Sequence, residues 1–99
     1  MAALEDCVAN KAESVIVISA GFRETGSEGL KLERQMAAMA EKYNMPIVGP
    51  NCLGVIDTFA PYNASFAVGI PRQGRIAFMS QSGALCTGIL DVALAQNIG

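Results

Sequence analysis

Histidine and tryptophan are absent from the 99 residues. Without an imidazole to act as general base, a serine hydrolase cannot be assembled from this chain alone. Cysteine is scarce and scattered: Cys7, Cys52 and Cys86 are odd in number and form no C-x-x-C. That spacing argues against a zinc site or a disulfide framework and fits a reducing, cytoplasmic setting. Charge is sparse as well, with seven basic residues, no Lys/Arg cluster and a net charge of −2. Nucleic acid and anionic membrane surfaces are therefore poor partners for it. The longest apolar run, around Val15 to Phe22, is far too short to span a bilayer. Glu5 and Asp6 occupy the place where a secretory signal would carry basic residues.

What is present is apolar: 52% of the residues are hydrophobic, which excludes disorder and points to an interior-rich α/β protein. Ala3, Leu4, Cys7 and Val8 recur at helical spacing, predicting a helix over about 2–10. Val15–Ala20 is apolar at consecutive positions, as in a parallel strand covered on both faces. Thr25 and Glu28 have the spacing of a capping box, placing a helix start near Gly26 or Ser27. That helix runs to about Tyr43, with Leu32, Met36, Met39, Ala40 and Tyr43 inward and Lys31, Arg34, Glu41 and Lys42 in water. Asn44 and Pro46 end it, and 46–49 is a second short strand, completing a βαβ unit. The methionines, Met45 included, belong to the core. Residues 54–74 hold no clear period and are punctuated by Pro61, Gly69, Pro71 and Gly74. A loop of that length is better read as a domain boundary. Beyond it, 75–79 is predicted as a strand and 84–96 as a helix whose inward face carries Leu85, Ile89, Val92 and either Ala93 or Leu94.

Three motifs stand at the ends of apolar runs. Ser80-Gln81-Ser82-Gly83 turns from the predicted strand into the last helix. Backbone N–H groups and the positive end of the helix dipole converge there, so the turn can hold an anion. The plainer reading is a serine N-cap with a glycine easing a tight turn. A nucleophile elbow centred on Ser82 would tolerate Ser80 and Ala84 at its flanks but has no histidine to activate it. Gly49-Pro50-Asn51-Cys52-Leu53-Gly54 follows the second strand at the end where open α/β sheets bind ligands. Asn51 could bond a ligand and Cys52 could lie beside a thiol or thioester, or the segment is a Pro-Asn turn with a buried cysteine. Ser19, Ala20 and Gly21 let backbone approach a ligand closely, or merely pack tightly. Arg23 and Glu24 read as solvated loop charges.

Three segments in this order, Val15-Ile-Val-Ile-Ser-Ala-Gly-Phe-Arg-Glu-Thr-Gly26, Gly49-Pro-Asn-Cys-Leu-Gly-Val55 and Ile76-Ala-Phe-Met-Ser-Gln-Ser-Gly-Ala84, resemble the NDP-forming acyl-CoA synthetases. The ADP-forming acetyl-CoA synthetase α part is the nearer likeness and the succinyl-CoA synthetase α subunit the more distant. The resemblance implies the end of a Rossmann-like CoA-binding domain over 1–58, a linker over 59–73, and over 74–99 the opening strand and helix of a flavodoxin-like ligase domain. It also implies interconversion of acyl-CoA, ADP and phosphate with free acid, CoA and ATP through acyl-phosphate and phosphohistidine intermediates. The acid would be acetate or another short-chain acid. By the same resemblance Ser19, Ala20, Gly21, Asn51 and Cys52 would bind CoA, and Ser80, Ser82 and Gly83 would hold phosphate.

The family's glycine-rich phosphate loop, its phosphorylated histidine and its nucleotide-grasp region do not occur in these residues. No catalytic residue is therefore assigned here, and ATP, ADP and magnesium would be bound by the remaining domains or a β subunit. The pattern starts part-way into a helix and stops where a further strand is expected, as in a piece of a longer protein that is inactive by itself. Thr87 stands about where succinyl-CoA synthetases carry a tyrosine, which argues against succinate. Two alternatives remain: the ligase-like region of a protein lysine acetyltransferase, and a non-catalytic CoA-binding module.

Overall fold

The computed structural model describes residues 1–99, which divide into two units, Met1–Cys52 and Leu53–Gly99. In the first, α1 (Ala2–Ala9) leads into β1 (Val15–Ile16), α2 (Ser27–Tyr43) and β2 (Ile47–Val48). β1 and β2 pair in parallel, Val15 opposite Ile47 and Ile16 opposite Val48, so the strand–helix–strand reading holds. Bonds from Val15 N–H to Pro46 O (3.0 Å) and Val17 N–H to Val48 O (2.8 Å) extend the pairing at each end.

The first strand is shorter than the apolar run that predicts it. Past Val17 the neighbouring strand β2 turns away at Gly49, so Ile18 has no ladder neighbour and is exposed. Val15, Ile16 and Val17 are only half-buried. The expectation of a strand covered on both faces is therefore not met within this chain.

The core of the unit is Leu4, Met36 and Met45, with Cys7, Val8, Ala12, Val15, Val17, Phe22, Met39 and Ile47 packed around them. α2 has the predicted bounds and ends at Asn44, which adopts the left-handed conformation (φ 48°) that short polar side chains tolerate. Its predicted stripe is half right. Met36 is buried, and Met39 and Ala40 are half-buried, but Leu32 and Tyr43 are exposed because nothing in the unit covers their side of the helix. The predicted capping box does not form. Residues Arg23–Thr25 coil into a 3₁₀ turn, and Thr25 Oγ1 donates to Phe22 O (2.8 Å) instead of capping α2.

In the second unit the segment read as featureless holds a hairpin. β3 (Gly54–Asp57) and β4 (Tyr62–Ser65) pair antiparallel, from Gly54 opposite Ser65 to Asp57 opposite Tyr62. Asp57 Oδ1 folds the connection by accepting from Phe59 N–H (2.7 Å) and Ala60 N–H (3.1 Å). Asn63 braces the loop after β4, its Nδ2 donating to Ala67 O (3.0 Å) and Gly69 O (3.1 Å).

α3 (Gly83–Gln96) forms as expected, and its amide ladder ends at Asn97 in the left-handed conformation. The strand predicted over 75–79 is absent. A strand needs a ladder partner, and these residues have none; Met79 is 94% exposed and Ile76 and Phe78 are exposed too. The predicted inward face of α3 is corrected likewise: Leu85, Ile89, Val92 and Leu94 are exposed and only Ala93 is half-buried.

Candidate functional site

Parallel pairing of β1 and β2 brings their carboxyl ends side by side, and with them two motifs that lie about thirty residues apart in sequence. Asn51 N–H donates to Ser19 O at 3.0 Å, tying the Gly49–Cys52 turn to the segment after β1. Gly49 makes that approach possible. Its φ is 104°, and a Cβ there would collide with the Val17 carbonyl oxygen and crowd Cys52 Sγ at 3.1 Å. The Gly49–Pro50 peptide is cis, and Asn51 has φ 51°. Cys52 is half-buried, its Sγ 3.5 Å from Val17 O and 3.8 Å from Val48 O, so its thiol faces strand backbone. Ser19, Ala20, Gly21 and Asn51 are exposed. The five residues assigned to CoA thus form one edge, four of them open to solvent.

Glu24, expected from the sequence to be a solvated loop charge, belongs to this edge. Its Oε1 accepts from Gly21 N–H (2.6 Å) and Phe22 N–H (3.2 Å). The Gly21 amide, then the residue's own amide and that of Phe22, hold its carboxyl below the usual glutamate range. Arg23 pairs with Glu33 of α2, and its amide donates to Glu33 Oε2 at 3.3 Å. The hydrogen bond from the Arg23 guanidinium lowers the Glu33 pKa, and Glu33 raises that of Arg23. A signal for Glu24 was present: a carboxylate three residues after a glycine can reach back to that glycine's amide.

The turn before α3 lies in the second unit. Ser82 is its N-cap, Oγ accepting from Leu85 N–H at 3.3 Å. Ser80 Oγ accepts from Ser82 N–H at 3.0 Å. Both serines therefore do what the plainer reading requires. Past them, the amides of Gly83 and Ala84 have no acceptor in the chain, and no acidic side chain stands in the first turn of α3. Gly83 and Ala84 are both exposed, and a Cβ on Gly83 would meet nothing within 4 Å. This is the donor arrangement that suits a phosphoryl oxygen. Thr87 does not join it, because its hydroxyl bonds back to Ala84 O (2.9 Å) and Gly83 O (3.3 Å). A shallow groove of about 420 Å³ on α2, lined by Ser27, Leu30, Lys31, Arg34, Gln35 and Ala38, and another between α1 and α2 include no residue of either site.

Comparison with known proteins gives this geometry a context. The chain is 47% identical over 97 residues to an ADP-forming acetate–CoA ligase of Archaeoglobus fulgidus, a match covering 98% of this chain. It is 48% identical over 98 residues to an ADP-forming 4-hydroxybutyrate–CoA ligase of Nitrosopumilus maritimus. The α subunit of an ADP-forming acetate–CoA ligase of Pyrococcus furiosus is 43% identical over 96 residues. By sequence, the chain belongs to the NDP-forming acyl-CoA synthetase family.

It spans only 14% of the first two of these synthetases and 21% of the third. A crystal structure of a Pyrococcus horikoshii OT3 protein superposes with a TM-score of 0.91 at 42% identity, covering 97% of this chain and 22% of that one. No protein-family model matches the chain. No helix of it is long and apolar enough to cross a membrane.

Proposed function

We propose that this chain is the part of an acid–CoA ligase that presents one edge of the CoA site and a phosphoryl-holding turn. The parent protein would interconvert acyl-CoA, ADP and phosphate with free acid, CoA and ATP in the cytoplasm. The observation that carries the reading is the bond from Asn51 N–H to Ser19 O at the carboxyl ends of β1 and β2. It joins two motifs where an open parallel sheet binds its ligands, in a chain close in sequence to ADP-forming CoA ligases.

On this reading Ser19, Ala20, Gly21 and Asn51 face CoA, and Cys52 completes the CoA edge from behind, its thiol against the strand backbone. The small residues after β1 let its backbone approach the ligand, and Asn51 offers both a donor and an acceptor. Ser80, Ser82 and Gly83 receive a phosphorylated intermediate. The serine oxygens fix the turn, while the Gly83 and Ala84 amides and the α3 dipole meet the negative charge. Phosphoryl transfer needs positioning and charge stabilisation more than covalent help, which such a turn can supply. A phosphorylated histidine, the nucleotide and its magnesium belong to other domains or to a β subunit, as the naming of one relative as an α subunit supports.

The finer architecture is proposed in the same terms. Residues 1–58 close a Rossmann-like CoA-binding domain, 59–73 link it onward, and 74–99 open a flavodoxin-like domain, although the first compact unit ends at Cys52 and the β3–β4 hairpin bridges residues 58 and 59. The parallel strand–helix–strand unit supports the first part, and an apolar 75–79 followed by α3 supports the last. A small carboxylic acid is the substrate, as relatives named for acetate and 4-hydroxybutyrate support.

The test is product analysis with the full-length protein, given acetate, CoA and ATP. CoA-dependent release of ADP and inorganic phosphate is expected. Release of AMP and pyrophosphate, or no dependence on CoA with any short-chain acid, would overturn the reading.

A further inference from the structure

The geometry points to Glu24 as a positioning residue for CoA, its carboxylate holding the Gly21–Phe22 backbone in the shape that meets the ligand. This deepens the proposed function and rests on its assignment of Ser19–Gly21 to the CoA edge. Glu24 stands on the 3₁₀ turn Arg23–Thr25, which is braced from behind. Thr25 N–H and Oγ1 both donate to Phe22 O, at 2.9 and 2.8 Å, and Gly26 N–H donates to Arg23 O at 3.1 Å. Arg23 joins the turn to Glu33 of α2 through both its guanidinium and its amide. Gly29 lets α2 pass close beneath, since a Cβ there would collide with the Phe22 carbonyl and Thr25 Oγ1.

Gly21, by contrast, has φ 108°, and a Cβ on it would meet nothing within 4 Å, so packing does not restrain it. The Glu24 carboxylate does. Its 2.6 Å and 3.2 Å bonds reach from the braced turn to two successive amides on the open side. A charged acceptor makes the stronger kind of hydrogen bond. Both amides also draw on its charge, as its lowered pKa shows. A carboxylate in direct contact with CoA would repel the ligand's phosphates. With its charge held by the backbone, Glu24 instead fixes the loop before the ligand arrives, removing ordering that binding would otherwise have to impose.

Steady-state kinetics of the full-length protein test this with Glu24→Ala, Glu24→Gln and, as a control on the CoA edge, Asn51→Ala. Glu24→Ala is expected to raise the KM for CoA roughly three- to tenfold, the scale of ordering a couple of loop residues on binding, with kcat within about twofold. The KM values for acid and ATP should stay at their parental values. Glu24→Gln, isosteric and still presenting an oxygen to Gly21 N–H, should recover most of the loss. If Asn51→Ala raises the KM for CoA while Glu24→Ala leaves it unchanged, the inference fails and the CoA assignment stands. If neither variant changes it, both fail. A fall in kcat and in melting temperature shared by Glu24→Ala and Glu24→Gln, with no selective effect on CoA, would make Glu24 merely structural and overturn the proposal.

Discussion

Gly49→Ala probes the contact on which the proposed CoA edge is built. The added methyl would enter a backbone conformation that side chains rarely adopt, at φ 104°, and would strike the Val17 carbonyl. Conformational strain of that kind costs about 1–3 kcal/mol. Relieving the collision means moving β1 from β2, which weakens the 2.8 Å bond between Val17 N–H and Val48 O, worth about 1 kcal/mol. Together the effects amount to roughly 2–4 kcal/mol. For a unit of 52 residues, whose whole stability is about 3–8 kcal/mol, that is a large fraction. Hydrogen exchange followed by mass spectrometry on the full-length protein would show it. Peptides covering 15–19 and 47–53 should exchange roughly 30- to 1,000-fold faster than in the parent. Gly83→Ala is the matched control, because Gly83 has open space around it and lies in the first turn of a helix, where alanine is the better residue. Its exchange should be unchanged or slower. If the Gly49→Ala peptides exchanged within about threefold of the parent, the close approach of the two motifs would be misjudged.

Further outcomes follow from the same geometry. Ser82→Ala removes the cap on Leu85 N–H and should cost about 0.5–2 kcal/mol of stability, while on the proposed function turnover of the full-length protein falls by far more than that loss explains. Parental turnover in that variant would reduce the serine to a cap. Met36→Ala should cost about 2–5 kcal/mol, read as a lowered denaturant midpoint, because Met36 is one of three buried side chains at the centre of the first unit. Leu32→Ala, on the uncovered side of α2, should move that midpoint much less. Glu24 and Glu33 both have lowered carboxyl pKa values, so their contribution is complete above the ordinary glutamate range and is lost as pH falls through the lowered folded-state values. The Glu24→Gln, Glu33→Gln double variant should therefore show a flatter decline of melting temperature on acidification, and an unchanged decline would refute the assignment.

What was legible in the residues, and what was not, follows from how local each signal is. The bounds of α2 were written in its period and in Asn44, and the parallel pairing in two apolar runs flanking a helix. The core role of Met36 followed from the same period, whereas Met45, between helix and strand, was read as core from its residue type alone. The hairpin was not legible by period, because Gly54-Val55-Ile56-Asp57 does not alternate, and the alternation of Tyr62-Asn63-Ala64-Ser65 spans only four residues. Asp57, the side chain that folds its turn, was the local sign that could have been read. The apolar character of 75–79 announces a preference for burial, but a strand is a relation between two segments, and the second is not among these residues. Thr25 had the right spacing for a cap, yet the 3₁₀ turn engaged it first. At the site, each motif could be found singly. That Ser19 and Asn51 meet depends on strand register, and the clamp made by Glu24 depends on a turn whose shape no pattern announced.

A crystal structure of the full-length protein with CoA tests the central claim most directly. The account predicts ligand density against the backbone of Ser19–Gly21 and the side chain of Asn51, with the Gly49–Cys52 turn unmoved. Density for CoA elsewhere, with that edge bare or covered by another part of the protein, would contradict it.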